Sequence, residues 1–138
     1  MTSVQLAGIE EIRADGELLA IVVSRDLRPD RTTFVTSDSL PQQLGFVVYP
    51  GGGEVARHFH LPLHRELDGT SEVLLIREGR CELDLFDADR LLVATRELVT
   101  GDVVLLVAGG HGLRMLEDTT LLEVKQGPYT GVEEKELF

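Results

Sequence analysis

The stretch "EVLLIREGRCELDLFD", residues 72–87, decides the fold class of this chain. Its second half alternates strictly: Cys81, Leu83 and Leu85 fall on one face of an extended strand, and acidic side chains lie between them. Alternation of this kind over a short run is typical of a β-strand with one buried face. The stretch therefore predicts strands rather than a helix at the centre of the chain.

The same pattern, a short apolar run followed by turn residues, extends outward in both directions. A lone Gly79 separates 72–78 from 80–86 and predicts a tight hairpin between them. Helix is expected only over 37–44 and in the last residues. Short strands spaced about 8–12 residues apart predict an all-β sandwich or closed barrel. The predicted strands are 17–25, 32–36, 44–49, 54–60, 72–78, 80–87, 91–99, 102–108 and 119–126.

Length and composition predict one ordinary globular domain over residues 1–138, with 43% apolar and 27% charged residues. The net charge of −11 argues against nucleic acid as a partner, because phosphates are bound by clustered Lys and Arg. The apolar run 103–110 is too short to span a bilayer, and no signal-peptide pattern opens the chain. With Cys81 as the single cysteine, we expect a soluble cytoplasmic protein without membrane contact.

Three of the four histidines lie within "RHFHLPLHRE", residues 57–66. On a strand, His58 and His60 point to the same side, so two imidazoles are aimed at one point. A metal ion held there needs further ligands from other strands. Glu72, which opens the next strong strand, and His111, in a glycine-rich turn, are the candidates.

The arrangement resembles the first motif of the cupin superfamily, a glycine, five residues, His-x-His, and then a glutamate followed after six residues by glycine. Gly52, His58, His60, Glu72 and Gly79 match these positions. The separation of His60 from Glu72 is longer than in the family, since the insert "LPLHRELDGTS" lies between them.

The second cupin motif is matched by Gly101, Gly109 and His111. Val107 and Met115 stand where the family has proline and asparagine, and the histidine comes one residue early. The two motifs lie within residues 44–127, which cover most of the chain.

The resemblance implies a single-domain jelly-roll β-barrel, often a homodimer, with its site at the barrel mouth. It implies that His58, His60, Glu72 and His111 hold a divalent transition metal such as Fe, Ni, Zn or Mn. The reaction would be of the dioxygenase, isomerase or lyase type on a small-molecule substrate.

Three further residues are candidates for the same site. His64 and Glu66, in the insert, are alternative metal ligands. Arg114 follows His111 by three residues; facing inward it would bind a substrate carboxylate or phosphate, and facing outward it would be a surface arginine on a strand.

Two other functions fit the same residues. The layout is similar to that of the nucleotide-sugar 3,4-ketoisomerases, cupins in which His-x-His acts as acid and base without metal; "VARHFH" and the tail 128–138 echo that group. A binding module that holds a metal or a small ligand without turnover would use the same side chains.

Overall fold

The computed structural model describes residues 7–131 and 134–138. The start of the N-terminal stretch, in which no signal peptide was recognised, and part of the tail in which a short helix was expected lie outside the described residues. Over the described ranges the regular structure is β-strand, and no α-helix occurs. The strands are β1 Ile9–Ala14, β2 Glu17–Val23, β3 Thr33–Phe34, β4 Gly45–Phe46, β5 Glu72–Glu78, β6 Arg80–Phe86, β7 Leu92–Val99, β8 Val103–Leu106, β9 Gly110–Met115 and β10 Thr120–Lys125.

The chain divides into two compact units. The first, here called the two-sheet unit, comprises residues up to Leu27 together with those from Thr70 onward, and the second is Arg28–Gly69. In the two-sheet unit, a five-stranded sheet has the order β1-β2-β8-β5-β10 and a three-stranded sheet has the order β7-β6-β9. All neighbouring strands in both sheets are antiparallel. The predicted all-β class is confirmed, and neither sheet closes on itself within the described strands.

The core of the two-sheet unit lies between its sheets and is formed by inward side chains of both. Leu83 and Leu85 have no exposed surface, which confirms the face assigned to them from alternation. A fully buried leucine stabilises a fold by about 1.5–3 kcal/mol relative to an exposed one. The five-stranded sheet contributes Ile12, Ala20, Leu74, Ile76, Val104 and Leu106, and the three-stranded sheet contributes Cys81, Leu83, Leu85 and Leu98.

The hairpin expected around Gly79 is wrong. β5 pairs with β8 and β10, whereas β6 pairs with β7 and β9, so the chain passes at Gly79 from one sheet to the other. One residue is too short for a hairpin loop, which needs two or more. Gly79 has a φ of +106°, a backbone conformation that residues other than glycine rarely adopt.

In the Arg28–Gly69 unit, β3 and β4 form a two-residue antiparallel pair, which is all that remains of the strands expected over 32–36 and 44–49. The helix expected over 37–44 is wrong. That segment turns instead, with Gln43 donating hydrogen bonds to the backbone carbonyls of Ser37 and Leu40.

The strand expected over 54–60 is also absent. Residues 51–70 are all exposed, and none of the described backbone hydrogen bonds involves residues 54–69. A strand needs a neighbour for its N–H and C=O groups, and alternation in one segment does not supply that neighbour. Two of the described strands, β1 and β9, were not predicted from the sequence. In β9 the glycine-rich segment around His111, which was expected to be a turn, is extended.

Candidate functional site

Glu72 and His111 are brought together from opposite sheets of the two-sheet unit. Glu72 is the first residue of β5 and shares its inward face with the buried Leu74 and Ile76. His111 lies on β9 directly opposite Leu85 of β6, which is buried, so the imidazole also faces inward. The Nε2 atom of His111 lies 3.5 Å from the Oε2 atom of Glu72.

A glycine fixes the start of β9 and with it the position of His111. Gly109 has φ +72°, and a Cβ atom there would overlap the backbone carbonyl oxygen of Phe86. Only glycine combines this conformation with so close an approach. The glycines before His111 are therefore a structural requirement for presenting the imidazole.

The position of Glu72 disfavours the charged form of its carboxyl group. Its side chain is 13% exposed, whereas that of His111 is 35% exposed. Burial raises the pKa of Glu72, Glu123 raises it further by charge and by a hydrogen bond, and His111 and Lys125 act in the opposite direction. Burial outweighs the attraction, because the charged carboxylate loses water that one imidazole does not replace.

Two residues beside this pair were missed by sequence reasoning. Lys125 of β10 lies directly opposite Glu72 of β5, and Glu123 lies opposite Leu74, so both belong to the inward face. The sequence contained a signal for their position, since Leu121, Glu123 and Lys125 occupy every second position of a predicted strand and therefore share one face. Only the pairing of β10 with β5 places them next to Glu72.

His58 and His60 lie in the Arg28–Gly69 unit and are adjacent to each other. Their ring centroids are 5.1 Å apart with an interplanar angle of 77°. The Nδ1 atom of His58 lies 2.7 Å from the carbonyl oxygen of Ala56. If Nδ1 carries the proton and donates to that oxygen, Nε2 keeps its lone pair for a metal or a proton.

The two alternative ligands, His64 and Glu66, form an ion pair with each other on the surface of the Arg28–Gly69 unit. The Nε2 atom of His64 lies 3.7 Å from the Oε1 atom of Glu66, and the two side chains are 85% and 91% exposed. Such an exposed pair is typical of an ordinary protein surface.

Of the two positions open to Arg114, the structure shows the outward one, so its predicted role in binding substrate inside the fold is wrong. Arg114 lies opposite Glu82 on β6, and this face of the three-stranded sheet is the outer one. Its guanidinium pairs with Glu82 at 3.3 Å and with Asp84. Arg114 and a hydrogen bond from Thr95 lower the pKa of Asp84. Three residues along a strand reverse the side, so Arg114 and His111 point to opposite faces.

Metal-ligating side chains do not form a larger cluster in the part of the chain that the structure describes. Over residues 7–131 and 134–138, no three His, Cys, Asp or Glu side chains form a group that could hold a metal ion. The structure thus shows two pairs, Glu72 with His111 and His58 with His60, and the four-ligand set stays a prediction.

No helix within the described ranges is long and apolar enough to cross a membrane. Comparisons with protein-family models, curated proteins and solved structures find no match to this chain.

Proposed function

We propose that this chain is a cupin-like protein that binds a divalent transition metal and acts on a small molecule, with His58, His60, Glu72 and His111 as ligands. The observation that carries the proposal is the Glu72–His111 pair, in which a carboxylate and an imidazole from opposite sheets face the same interior. Burial raises the pKa of Glu72, and carboxyl groups with a pKa shifted in this way are frequent in functional sites.

The donor set fits such an ion. Neutral imidazoles and a carboxylate bind Fe, Ni, Zn and Mn, and affinity alone does not choose among them. An ion bound there would polarise a substrate oxygen or activate a water molecule. The facing atoms of Glu72 and His111 lie 3.5 Å apart, and a His58 ring that donates from Nδ1 to the carbonyl oxygen of Ala56 would leave Nε2 for a ligand bond.

The jelly-roll arrangement is part of the proposal. It requires residues 54–60 to adopt the paired strand that their alternation predicts, with His58 and His60 on one side and Val55 and Phe59 on the other. Phe59 is 96% exposed, so this segment has much apolar surface to bury on pairing. β9, which carries His111, has only β6 beside it among the described strands.

The test is metal content by inductively coupled plasma mass spectrometry on protein purified without a histidine tag. We expect near-stoichiometric metal in the wild type and its loss in the His58→Ala/His60→Ala variant. The matched control is His64→Ala, which removes an imidazole of the same segment and is expected to retain metal. A metal-free wild type that takes up none of Fe, Ni, Zn or Mn would overturn the proposal.

A second candidate, acid–base catalysis without metal, is favoured by one observation: the rings of His58 and His60 are adjacent, so one can hold a proton beside the other. This function would be that of a nucleotide-sugar 3,4-ketoisomerase-like protein. It predicts turnover of nucleotide-linked keto-sugars after complete removal of metal, and loss of that turnover in His58→Ala/His60→Ala. Metal binding without turnover of any substrate would instead identify a binding module.

We further propose that the protein works in the cytoplasm as a homodimer, with a small molecule rather than nucleic acid or membrane as its partner. The net charge of −11 and the free, buried Cys81 support this setting. Leu122 and Val124, on the outer face of edge strand β10, are each about half exposed and provide apolar surface for a second copy. Light scattering after size-exclusion chromatography tests the dimer, and a monomer at all concentrations would contradict it.

A further inference from the structure

Residues 55–65, "VARHFHLPLHR" and here called the arm, carry an exposed apolar side. Its apolar residues occupy odd positions and so share one side of an extended segment. Their exposed fractions are 58% for Val55, 96% for Phe59, 84% for Leu61 and 67% for Leu63. None of the described backbone-to-backbone hydrogen bonds involves residues 54–69. An extended segment with free backbone groups and one apolar side is suited to pairing with the edge of a sheet.

A cavity of about 240 Å³ lies beside β9, within the two-sheet unit. From β9 it is lined by His111 and Gly112, and a Cβ atom on Gly112 would meet no other atom within 4 Å. A cavity of about 150 Å³ holds a benzene ring, so this one has room for the side chain of a phenylalanine. Its apolar walls are Phe86, Leu113, Leu137 and Phe138.

The two acidic side chains in the cavity wall are each paired with an arginine. Asp84 pairs with Arg114, and Glu136 pairs with Arg90 at 2.8 Å. The guanidinium of Arg90 also lies over the ring of Phe138, 5.4 Å from its centroid. The charges of the wall are therefore balanced, and the cavity suits an apolar ring better than an ion.

We infer that the arm of a second copy of this chain lies along β9 with Phe59 in this cavity, so that each copy completes the candidate site of the other. Gly112 lies opposite Asp84, on the outer side of the three-stranded sheet. With Phe59 on that side, His58 and His60 point inward, the side on which His111 lies. An aromatic side chain over a strand glycine also covers backbone that the glycine leaves exposed. The shared metal site rests on the proposed function, whereas the docking of the arm does not depend on metal.

The occupant is a second copy because one chain leaves both surfaces unused. Phe59 is 96% exposed, and β9 has only β6 beside it among the described strands. Two copies related by a twofold axis use both surfaces at once by exchanging arms. The arm has two arginines, three histidines and no carboxylate, whereas all 24 acidic residues lie elsewhere in the chain, so the rest of a second copy attracts it. Each copy would bury the 11 residues of its arm, its β9 edge and its cavity, which approaches the about 20–30 residues per partner of a stable interface.

Sedimentation velocity on the metal-free, full-length protein tests the docking of the arm. We expect a wild-type dimer whose dissociation constant rises about tenfold or more in Phe59→Ser, which removes the ring, and in Gly112→Leu, which fills the cavity. The matched control is Tyr49→Ser, which removes a half-exposed aromatic side chain of the same unit outside the arm and should leave the constant unchanged. A wild type that is monomeric at all concentrations, or a Phe59→Ser variant that dimerises as tightly as wild type, would overturn the inference. Binding of a monomer to phosphatidylglycerol vesicles that is lost in Phe59→Ser would assign the arm to a membrane and also overturn it.

Metal uptake by mixed dimers tests whether the site is shared. His58→Ala/His60→Ala lacks the ligands of the arm, and Glu72→Gln/His111→Ala lacks those of the two sheets. A mixed dimer of the two keeps one intact site only when each site draws on both copies, so equal co-expression should restore about one quarter of the wild-type metal content. Metal in wild type but none in mixed dimers verified by native mass spectrometry would overturn the inference and leave the metal function standing. A Phe59-dependent dimer that takes up no metal would support the docking and contradict the metal function, so that the two failures are distinguishable.

Discussion

Two acid–base pairs join the sheets of the two-sheet unit, and they differ in almost every respect. Glu10 of β1 and Arg96 of β7 form two hydrogen bonds, each 2.8 Å long. Glu72 of β5 and His111 of β9 make a single contact at 3.5 Å. Both pairs lie on inward faces of their strands, on opposite sides of the shared core.

The difference shows which pair serves stability. Hydrogen bonding to Arg96 lowers the pKa of Glu10, so the fold favours its charged form. Burial raises the pKa of Glu72, so the fold opposes its charged form. An arginine keeps its charge at all relevant pH values, whereas an imidazole forms an ion pair only when it is protonated. The unfavourable environment of Glu72 supports the ligand role proposed for it, since functional groups are often held in place at some cost in stability.

The largest expected effect is on metal affinity. Glu72→Gln should weaken binding of Zn²⁺ or Ni²⁺ about 100-fold or more, because even the loss of an outer partner of a metal ligand costs about 10–100-fold. Glu10→Gln, the same chemical change in the other pair, should alter affinity less than about twofold. Competition with a chromophoric chelator measures both constants. Equal losses in the two variants would remove the functional distinction between the pairs.

The next effect is on the stability contributed by Glu10 and Arg96. Arg96→Met keeps the apolar stem and should lower the free energy of unfolding at pH 7 by about 1 kcal/mol, the upper range for an exposed but bidentate pair. Urea unfolding measures it, and a double-mutant cycle with Glu10→Gln isolates the coupling. A coupling energy near zero would show that the pair is geometrically good but energetically neutral.

A smaller effect of opposite sign is expected at the other pair. Glu72→Gln should raise the free energy of unfolding of the metal-free protein by about 0.5 kcal/mol at pH 7, since it removes a charge that burial disfavours and keeps the side-chain shape. Urea unfolding of wild type and variant in the presence of a chelator tests this. Destabilisation by the variant would mean that attraction to His111 outweighs burial.

The smallest expected effects are on how the stability contributions of Glu10 and Glu72 change with pH. The pKa of Glu10 lies below its usual 4.5, so its stabilisation is present above that value and is lost as pH falls through the lowered pKa. The pKa of Glu72 lies above 4.5, so its relative contribution is most favourable below 4.5 and is lost as pH rises through the raised pKa. Unfolding midpoints between about pH 3 and 8 should therefore make Glu10→Gln approach wild type in acid and Glu72→Gln diverge from it toward neutrality. Parallel curves for the two variants would contradict the opposite pKa directions.

Several features of the fold were predictable because they depend on local alternation. The face of Cys81, Leu83 and Leu85 follows from a period of two, and all three are buried. In the structure the buried positions are even-numbered in β5, at Leu74 and Ile76, and odd-numbered in β6, and this change of parity accompanies the passage between sheets at Gly79. It was interpreted as a hairpin because alternation within a strand does not reveal which strands pair.

The candidate site was predictable only in part. The resemblance to the two cupin motifs named Glu72 and His111 as residues of one site, and the structure brings them together, although His111 was expected in a turn. The inward position of Lys125 and the outward position of Arg114 depend on register with neighbouring strands, and a shift of one residue reverses a side chain's face.

The sequence by itself determined the all-β class and the buried face of β6, since composition and alternation are local properties. Glu72 and His111 were singled out by the resemblance of the sequence to the two cupin motifs. Only the tertiary structure decided that the chain changes sheets at Gly79, that a cavity with apolar walls lies beside β9, and that Glu72 meets His111 across the core. These are long-range facts: hydrogen bonds between strands distant in the chain, and burial shared between two sheets, select one pairing among many that the local pattern allows.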